Sequence, residues 1–113
     1  MNGDQSRIAK VAQFRLTPRV AEERIRTISR DTGNVIFGDH ILDRMEERGI
    51  TDIQVLEILH TGMVFEPPEL TECNEWKCKI VKELRARRDA GVIVVILTNR
   101  KLFLKTVEWE DLK

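Results

Sequence analysis

The sequence predicts an α+β domain of two layers, in which N-terminal helices pack on an antiparallel meander sheet of about four strands. Apolar residues recur at spacings of three and four in the first half of the chain, the period of amphipathic helices. After Met63 the spacing changes to two, the period of strands. Residues 92–97 are six consecutive apolar residues, which is typical of a central strand. Helices therefore precede most of the sheet.

The first predicted helix begins at Thr17, because a capping hydroxyl is followed there by Pro18 at the first helical position. Its apolar residues keep helical spacing through about residue 31, and Gly33 marks its end. Residues 34–37 are short, apolar and partly β-branched. They are expected to form either a small strand or an extended link to the next helix.

The second predicted helix spans residues 39–48, with Asp39 as its N-cap and Gly49 just past its end. Its buried stripe is expected to consist of Ile41, Leu42 and Met45. His40, Arg44 and Arg48 recur every four residues and so lie along one edge of the helix. This edge carries groups that could bind phosphate or transfer a proton, although it could also be an ordinary solvated helix face with surface ion pairs.

A third helix is predicted after Thr51, which forms a capping box with Gln54, and it ends at Gly62. Its apolar positions make a broad face: Ile53, Val55, Leu56, Ile58 and Leu59. Two helices joined at Gly49 resemble a DNA-binding helix-turn-helix. The polar positions of the second one are Asp52, Gln54, Glu57 and His60, and its carboxylates would repel phosphates. No DNA binding is expected.

Strand periodicity begins at Met63 and is interrupted by two prolines at 67 and 68. In residues 76–80 the apolar side chains alternate with Lys77 and Lys79, so this strand should have one apolar and one cationic face. A polar connection at 85–91 leads to the central strand at 92–97. A tight turn at 99–101 then leads to a last strand at 102–109, which contains Lys105 and Thr106.

The chain of 113 residues has the size of one domain, expected at 17–113 after an N-terminal arm at 1–16. Its 19 basic and 19 acidic residues cancel, so no global field draws it to a polyanion. Residues 77–89, however, hold three lysines and three arginines against Glu83 and Asp89, a local excess of four positive charges. Such a patch could bind RNA, or it could simply keep an exposed strand soluble.

Two cysteines, Cys73 and Cys78, without an apolar signal segment favour free thiols and a cytoplasmic location. Together with His40 and His60 they match no compact zinc spacing, so neither a metal nor another cofactor is expected. No apolar run approaches the ~20 residues that span a bilayer, so no membrane association is expected.

Between Thr17 and Trp109 the chain carries, in order, His40, Arg44, Met45, Arg48, Gly49, Ile50, Val55, Leu59, Gly62, Trp76, Lys77, Cys78, Lys79, Thr106 and Val107. This order resembles a small prokaryotic family known as domain of unknown function 4258, which looks related to the barnase, EndoU, colicin and RelE group of ribonuclease toxins. The resemblance implies a helical layer on an antiparallel sheet whose open face carries the site. It implies catalytic roles for His40, Arg44, Lys79 and Thr106, and RNA contacts for Arg48, Lys77 and Lys105. The family usually follows its threonine-valine with an aromatic residue and a basic tail, whereas this chain continues with Glu108, Trp109, Glu110 and Asp111.

Two functions remain open. In the first, the protein is a metal-independent endoribonuclease of the toxin type: His40 transfers a proton at the 2′- or 5′-oxygen, Arg44 and Lys79 stabilise charge on phosphorus, and Thr106 positions the phosphate. In the second, the scaffold is a non-catalytic binding or inhibitor module, whose mixed-charge helix and acidic loop hold an antitoxin or another protein partner. The neutral net charge favours the second.

Overall fold

A computed structural model describes residues 15–111. Within these residues the chain forms three helices: α1 (Pro18–Ser29), α2 (Asp39–Arg48) and α3 (Asp52–Thr61). The same residues form six strands: β1 (Val35–Phe37), β2 (Met63–Val64), β3 (Glu69–Leu70), β4 (Trp76–Glu83), β5 (Asp89–Ile96) and β6 (Leu102–Trp109). Most of the arm expected at 1–16 lies outside the described residues. Leu16, however, is buried and belongs to the core.

The six strands form one sheet. Five of them follow the order β1-β6-β5-β4-β2, and β3 pairs with β4 beside β2. The predicted α+β class is confirmed. The prediction of an antiparallel sheet of about four strands was wrong, because the sheet has six strands and β1 pairs with β6 in parallel. Parallel neighbours require a long connection, and here it contains α2, α3 and the rest of the sheet. The two short strands β2 and β3 pair with different parts of β4, because the prolines at 67 and 68 interrupt the chain between them.

The helices begin and end largely where their caps predict. The Thr17 hydroxyl accepts the Val20 N–H at 3.2 Å, and Thr51 and Gln54 form the predicted capping box of α3. Gly49 ends α2 with φ of 69°, in the left-handed region that glycine favours. The prediction of Asp39 as the N-cap of α2 was wrong, because Gly38 is the N-cap and Asp39 is the first helical residue. A carboxylate in the first turn still favours the helix dipole.

The core lies between the helices and one face of the sheet, and it includes buried side chains of α1, α3 and the three long strands. The prediction of burial was wrong for two residues. Ile53 is 73% exposed and Leu42 is 49% exposed. At about 100° per residue, Ile53 lies on the side of α3 opposite Val55, Ile58 and Leu59, which are buried. Apolar content alone did not distinguish the two sides of this helix.

The opposite side of the sheet, here called the open face, carries the remaining side chains of β4, β5 and β6. A β-bulge interrupts its regular pattern in β6: Ile93 lies opposite Thr106 and Val94 opposite Leu104, so Lys105 is the extra residue. The bulge shifts the phase of β6 by one residue, which keeps Val107 and Trp109 in the core. In the part of the chain that is described, no helix has the length and apolarity needed to cross a membrane.

Candidate active site

A cavity of about 500 Å³ opens on the open face beside the first turn of α2. Its lining combines an imidazole, two ammonium groups, a hydroxyl and an apolar floor. The residues are Gly38, His40, Lys77, Ile93, Phe103, Lys105 and Thr106. Four of the seven sequence-predicted site residues therefore meet at one cavity: His40, Lys77, Lys105 and Thr106.

His40 reaches the open face because of how β1 leads into α2. The chain leaves β1 beside β6, and the Gly38 N–H donates to the Leu104 carbonyl at 3.2 Å. Gly38 also packs against the Phe103 ring, since a Cβ there would lie 2.6 Å from the Phe103 Cζ. The first turn of α2 is thereby held against β6, and His40 is its second residue.

The strand residues reach the cavity through register. Thr106 in β6 lies opposite Ile93 in β5, and Phe103 lies opposite Val95, whose other neighbour is Lys77. The bulge brings Lys105 to the cavity together with Thr106, although adjacent residues of a regular strand point to opposite faces. Bulges often re-aim side chains in this way next to active sites.

Two cations and a hydroxyl around an apolar floor suit a phosphate group with an attached planar base. Lys105 is exposed and has no carboxylate within 4 Å among the described residues, whereas the Lys77 Nζ lies 3.8 Å from the Glu69 Oε1. That contact is solvent-exposed and therefore weak. Imidazole is the side chain that most readily exchanges a proton near neutral pH. The cavity can therefore hold an anion and transfer a proton beside it.

Three predicted site residues, Arg44, Arg48 and Lys79, do not line this cavity. Arg44 bonds to the Glu47 carboxylate, which also lies 4.0 Å from a guanidinium nitrogen of Arg48. The Arg48 carbonyl accepts the Trp109 indole N–H at 3.0 Å, so this end of α2 is attached to the end of β6.

Lys79 is held by Glu110 instead. Its Nζ lies 2.7 Å from the Glu110 Oε1. The hydrogen bond to Glu110 raises the pKa of Lys79 despite partial burial, and the Glu66 and Glu108 carboxylates add to the rise. Lys79 is therefore a charged but neutralised group on the acidic part of the open face.

Within the predicted cationic patch at 77–89, two of the arginines, Arg85 and Arg88, are also bound to other groups of the protein. Arg88 donates two hydrogen bonds of 3.0 Å to Asp111, and its guanidinium lies 4.2 Å from the centre of the Trp109 ring. This hydrogen bonding lowers the pKa of Asp111 and raises that of Arg88. Arg85 donates to the Gly49 carbonyl at 2.9 Å. Much of the local positive charge is thus used within the protein.

Two parts of the site were not predicted from the sequence: the cavity floor of Ile93 and Phe103, and the contact of Lys79 with Glu110. A signal for the shared position of Lys105 and Thr106 was nevertheless present in the sequence. In the last strand the alternation of Leu102 and Leu104 resumes out of phase at Val107 and Trp109, which indicates a bulge at the residues between them. Nothing local in the sequence indicates the contact between Lys79 and Glu110, which are 31 residues apart.

A larger cavity of about 710 Å³ lies between α1 and the turn from β5 to β6. It contains Arg24, Trp76 and Arg100 but neither histidine. Its one carboxylate is Glu23 and it has no imidazole, whereas His40 lines the smaller cavity, so the smaller cavity is the better candidate for proton transfer near neutral pH. Within residues 15–111, no three His, Cys, Asp or Glu side chains are grouped so that they could hold a metal ion.

The two thiols differ in environment, and this predicts their reactivity. Both cysteines are free, Cys73 is exposed, and burial raises the pKa of the Cys78 thiol to about 11. Because the thiolate is the reactive form, an aromatic disulfide reagent at pH 8 should modify one thiol per folded chain and both after denaturation. Cys73→Ser should abolish the fast reaction. Two equally fast thiols in the folded protein would contradict the burial of Cys78.

Among known proteins, one family model matches the chain. It is described as "Domain of unknown function (DUF4258)" and covers residues 37–109. The matched segment begins at the end of β1 and includes every residue that lines the cavity beside His40. No curated protein and no solved structure matches the chain.

Proposed function

The chain belongs to the DUF4258 family, and we propose that it is a metal-independent endoribonuclease of the toxin type, acting on single-stranded RNA at the cavity beside His40. One observation carries the proposal: His40, Lys77, Lys105 and Thr106 surround a single cavity on the open face. A helical layer behind a sheet with such a face also agrees with the proposed relationship to the barnase, EndoU, colicin and RelE toxins. Free thiols at both cysteines agree with a reducing cytoplasm.

The proposed reaction is a transesterification within the RNA. The 2′-oxygen forms a bond to phosphorus, the bond from phosphorus to the 5′-oxygen breaks, and the products are a 2′,3′-cyclic phosphate and a free 5′-hydroxyl. His40 takes the proton from the 2′-hydroxyl or gives one to the leaving oxygen, and solvent water exchanges the other proton, so that one proton is lost and one is gained. Lys77 and Lys105 stabilise the negative charge that builds on the phosphoryl oxygens, and the Thr106 hydroxyl donates a hydrogen bond to one of them.

The cavity floor favours an unpaired base as part of the substrate. Phe103 offers an aromatic ring beside the cations, and bases of single-stranded RNA stack on such rings without strict sequence preference. In this proposal Lys77 and Lys105 have the charge-stabilising role that the family resemblance gave to Arg44 and Lys79. Arg44 and Arg48 lie further along α2, where they could contact a phosphate outside the cavity.

The test is cleavage of a single-stranded RNA oligonucleotide in the presence of a strong chelator. We expect cleavage between pH 5 and 8, with cyclic phosphate ends, and no cleavage of the same sequence with 2′-O-methyl sugars, which lack the attacking hydroxyl. Lys105→Ala and Thr106→Ala should each lower the rate by about tenfold or more, as loss of a transition-state contact usually does. Intact RNA at every pH would contradict the proposal.

A second candidate is a protein-binding module, and the outer edge of the sheet favours it. There, among residues 15–111, β4 is covered only by the short strands β2 and β3, and Met63, Phe65 and Leu70 are exposed. Glu66 and Glu69 are in the same segment, so a partner with apolar and basic side chains, such as an antitoxin, would be complementary. If the protein cuts no RNA, this edge becomes the better candidate.

A further inference from the structure

Lys79 lies on the same row of the sheet as the candidate active site. It is opposite Ile93 in β5, and Ile93 is opposite Thr106 in β6. With neighbouring strands about 4.8 Å apart, the backbones of Lys79 and Thr106 are separated by roughly 10 Å. A long lysine side chain directed along this row would meet a phosphate bound beside Thr106.

The Lys79 ammonium group is instead bound by the Glu110 carboxylate. The Glu110 N–H donates to the Asp89 carbonyl at 2.8 Å, which fixes the backbone just after β6. Its Oε1 lies 2.7 Å from the Lys79 Nζ, and the Lys79 and Glu110 side chains are only 27% and 17% exposed. Water therefore screens this pair less than it screens an ordinary surface pair.

Gly91 makes the close approach of Glu110 feasible. A Cβ at this position would lie 2.7 Å from the Glu110 Oε2 and 3.1 Å from the Lys79 Cδ. Any larger residue would displace the carboxylate or the lysine stem. The Glu110 Oε2 is itself buried and accepts no hydrogen bond from the described residues. The Glu110 carboxylate thus lies against Gly91 of β5, and within residues 15–111 Lys79 is its one side-chain hydrogen-bond donor.

We propose that Glu110 is an autoinhibitory residue, which withholds Lys79 from the cavity by competing with a nucleic-acid phosphate for the same ammonium group. The inference rests on the proposed function in taking the cavity as a phosphate site. Releasing Lys79 adds one cation to the two that already line the cavity, and replacing Glu110 by glutamine also removes one negative charge from the open face. Affinity for a single strand should rise accordingly.

The experiment measures the binding of a fluorescent 2′-O-methyl RNA oligonucleotide, which the proposed reaction cannot cleave. Glu110→Gln should lower the Kd by about fivefold or more at low salt. It should also steepen the dependence of log K on log salt concentration by about 0.7, the value for one extra phosphate contact on a single strand. The double variant Glu110→Gln with Lys79→Met should lose this gain.

Two further variants serve as controls. Asp111→Asn removes the same charge from the next residue, which pairs with Arg88, so any effect should be independent of Lys79. Gly91→Ala retains both members of the pair but places a methyl group 2.7 Å from the Glu110 Oε2 and 3.1 Å from the Lys79 Cδ, so one of the two side chains must shift. We expect this shift to weaken the pair and to tighten binding in the same direction as Glu110→Gln. This variant also keeps the test valid if Glu110→Gln folds poorly.

The binding and cleavage results together distinguish failure of the inference from failure of the ribonuclease proposal. The inference is overturned if Glu110→Gln binds no more tightly than the wild-type protein, or if its gain persists without Lys79. If the binding changes occur but unmodified RNA is never cut, the inference stands and the ribonuclease proposal fails. If RNA is cut and Glu110→Gln has no effect on binding, the inference alone fails. Absence of binding by every variant removes the phosphate site and both proposals with it.

Discussion

Val94→Asp is expected to unfold the protein. Val94 is 0% exposed and lies in β5, between Cys78 of β4 and Leu104 of β6. An aspartate there would place a carboxylate in the core with no cation to pair with it. Burying an unpaired polar or charged group costs several kcal/mol, which is comparable to the roughly 5–15 kcal/mol that stabilises a typical domain.

Circular dichroism during thermal and urea denaturation measures this effect. Ile53→Asp is the matched control, since it makes the same change of a β-branched residue at a site that is exposed and lies in the first turn of α3. Its free energy of unfolding should stay within about 0.5 kcal/mol of the wild-type value. A Val94→Asp protein that melts cooperatively within a few degrees of the wild type would show that β5 is not the centre of the core.

His40→Ala is expected to lower the rate of RNA cleavage by about a hundredfold or more without unfolding the protein. His40 is the one imidazole at the cavity, and the side chain lies in an exposed first turn where truncation leaves the core intact. Single-turnover cleavage in chelator measures the rate, and the melting temperature checks the fold. The loss should appear in the rate at saturating protein, because a proton-transfer group acts in the transition state.

The second histidine provides the control. The His60 Nε2 lies 3.0 Å from the Ser29 carbonyl and belongs to the contact between α3 and α1, away from the cavity. His60→Ala should leave the cleavage rate within about twofold, although it can lower stability through the lost hydrogen bond. Equal losses in the two variants, or no loss in His40→Ala, would exclude His40 as the proton-transfer residue.

Elements with local signals could be predicted from the sequence. The caps at Thr17 and Thr51 and the glycine at 49 each act within a few residues, so the helix ends follow from short segments. The last strand was predicted at its observed bounds, Leu102–Trp109, because the turn before it is equally local. Apolar content was less informative: Ile53 and Leu42 belong to amphipathic helices but face solvent.

Features that depend on distant pairing could not be predicted in this way. The short β1 has too few residues to show a period, and its partner β6 follows 65 residues later in the chain. The same limit applies to the site. The helical spacing of His40 and Arg44 predicted one edge of α2, but the register of β6 decides that His40 meets Thr106 and Lys105. The contact of Glu110 with Lys79 depends on the register of β4, β5 and β6 together.

The two attachments of α2 to β6 also determine where the chain can change length. Gly38 bonds to Leu104 at one end, and Trp109 bonds to Arg48 at the other. Ten helical residues rise about 15 Å. The five residues after Leu104 span somewhat less than the roughly 16.5 Å of a regular strand, because Lys105 is the bulge residue, so the two segments are similar in length. An insertion or deletion in one segment alone would either detach the indole or move the imidazole one step away from the hydroxyl of Thr106. We therefore expect changes of length to be tolerated in the connections between elements, and the helix and its strand to change only together.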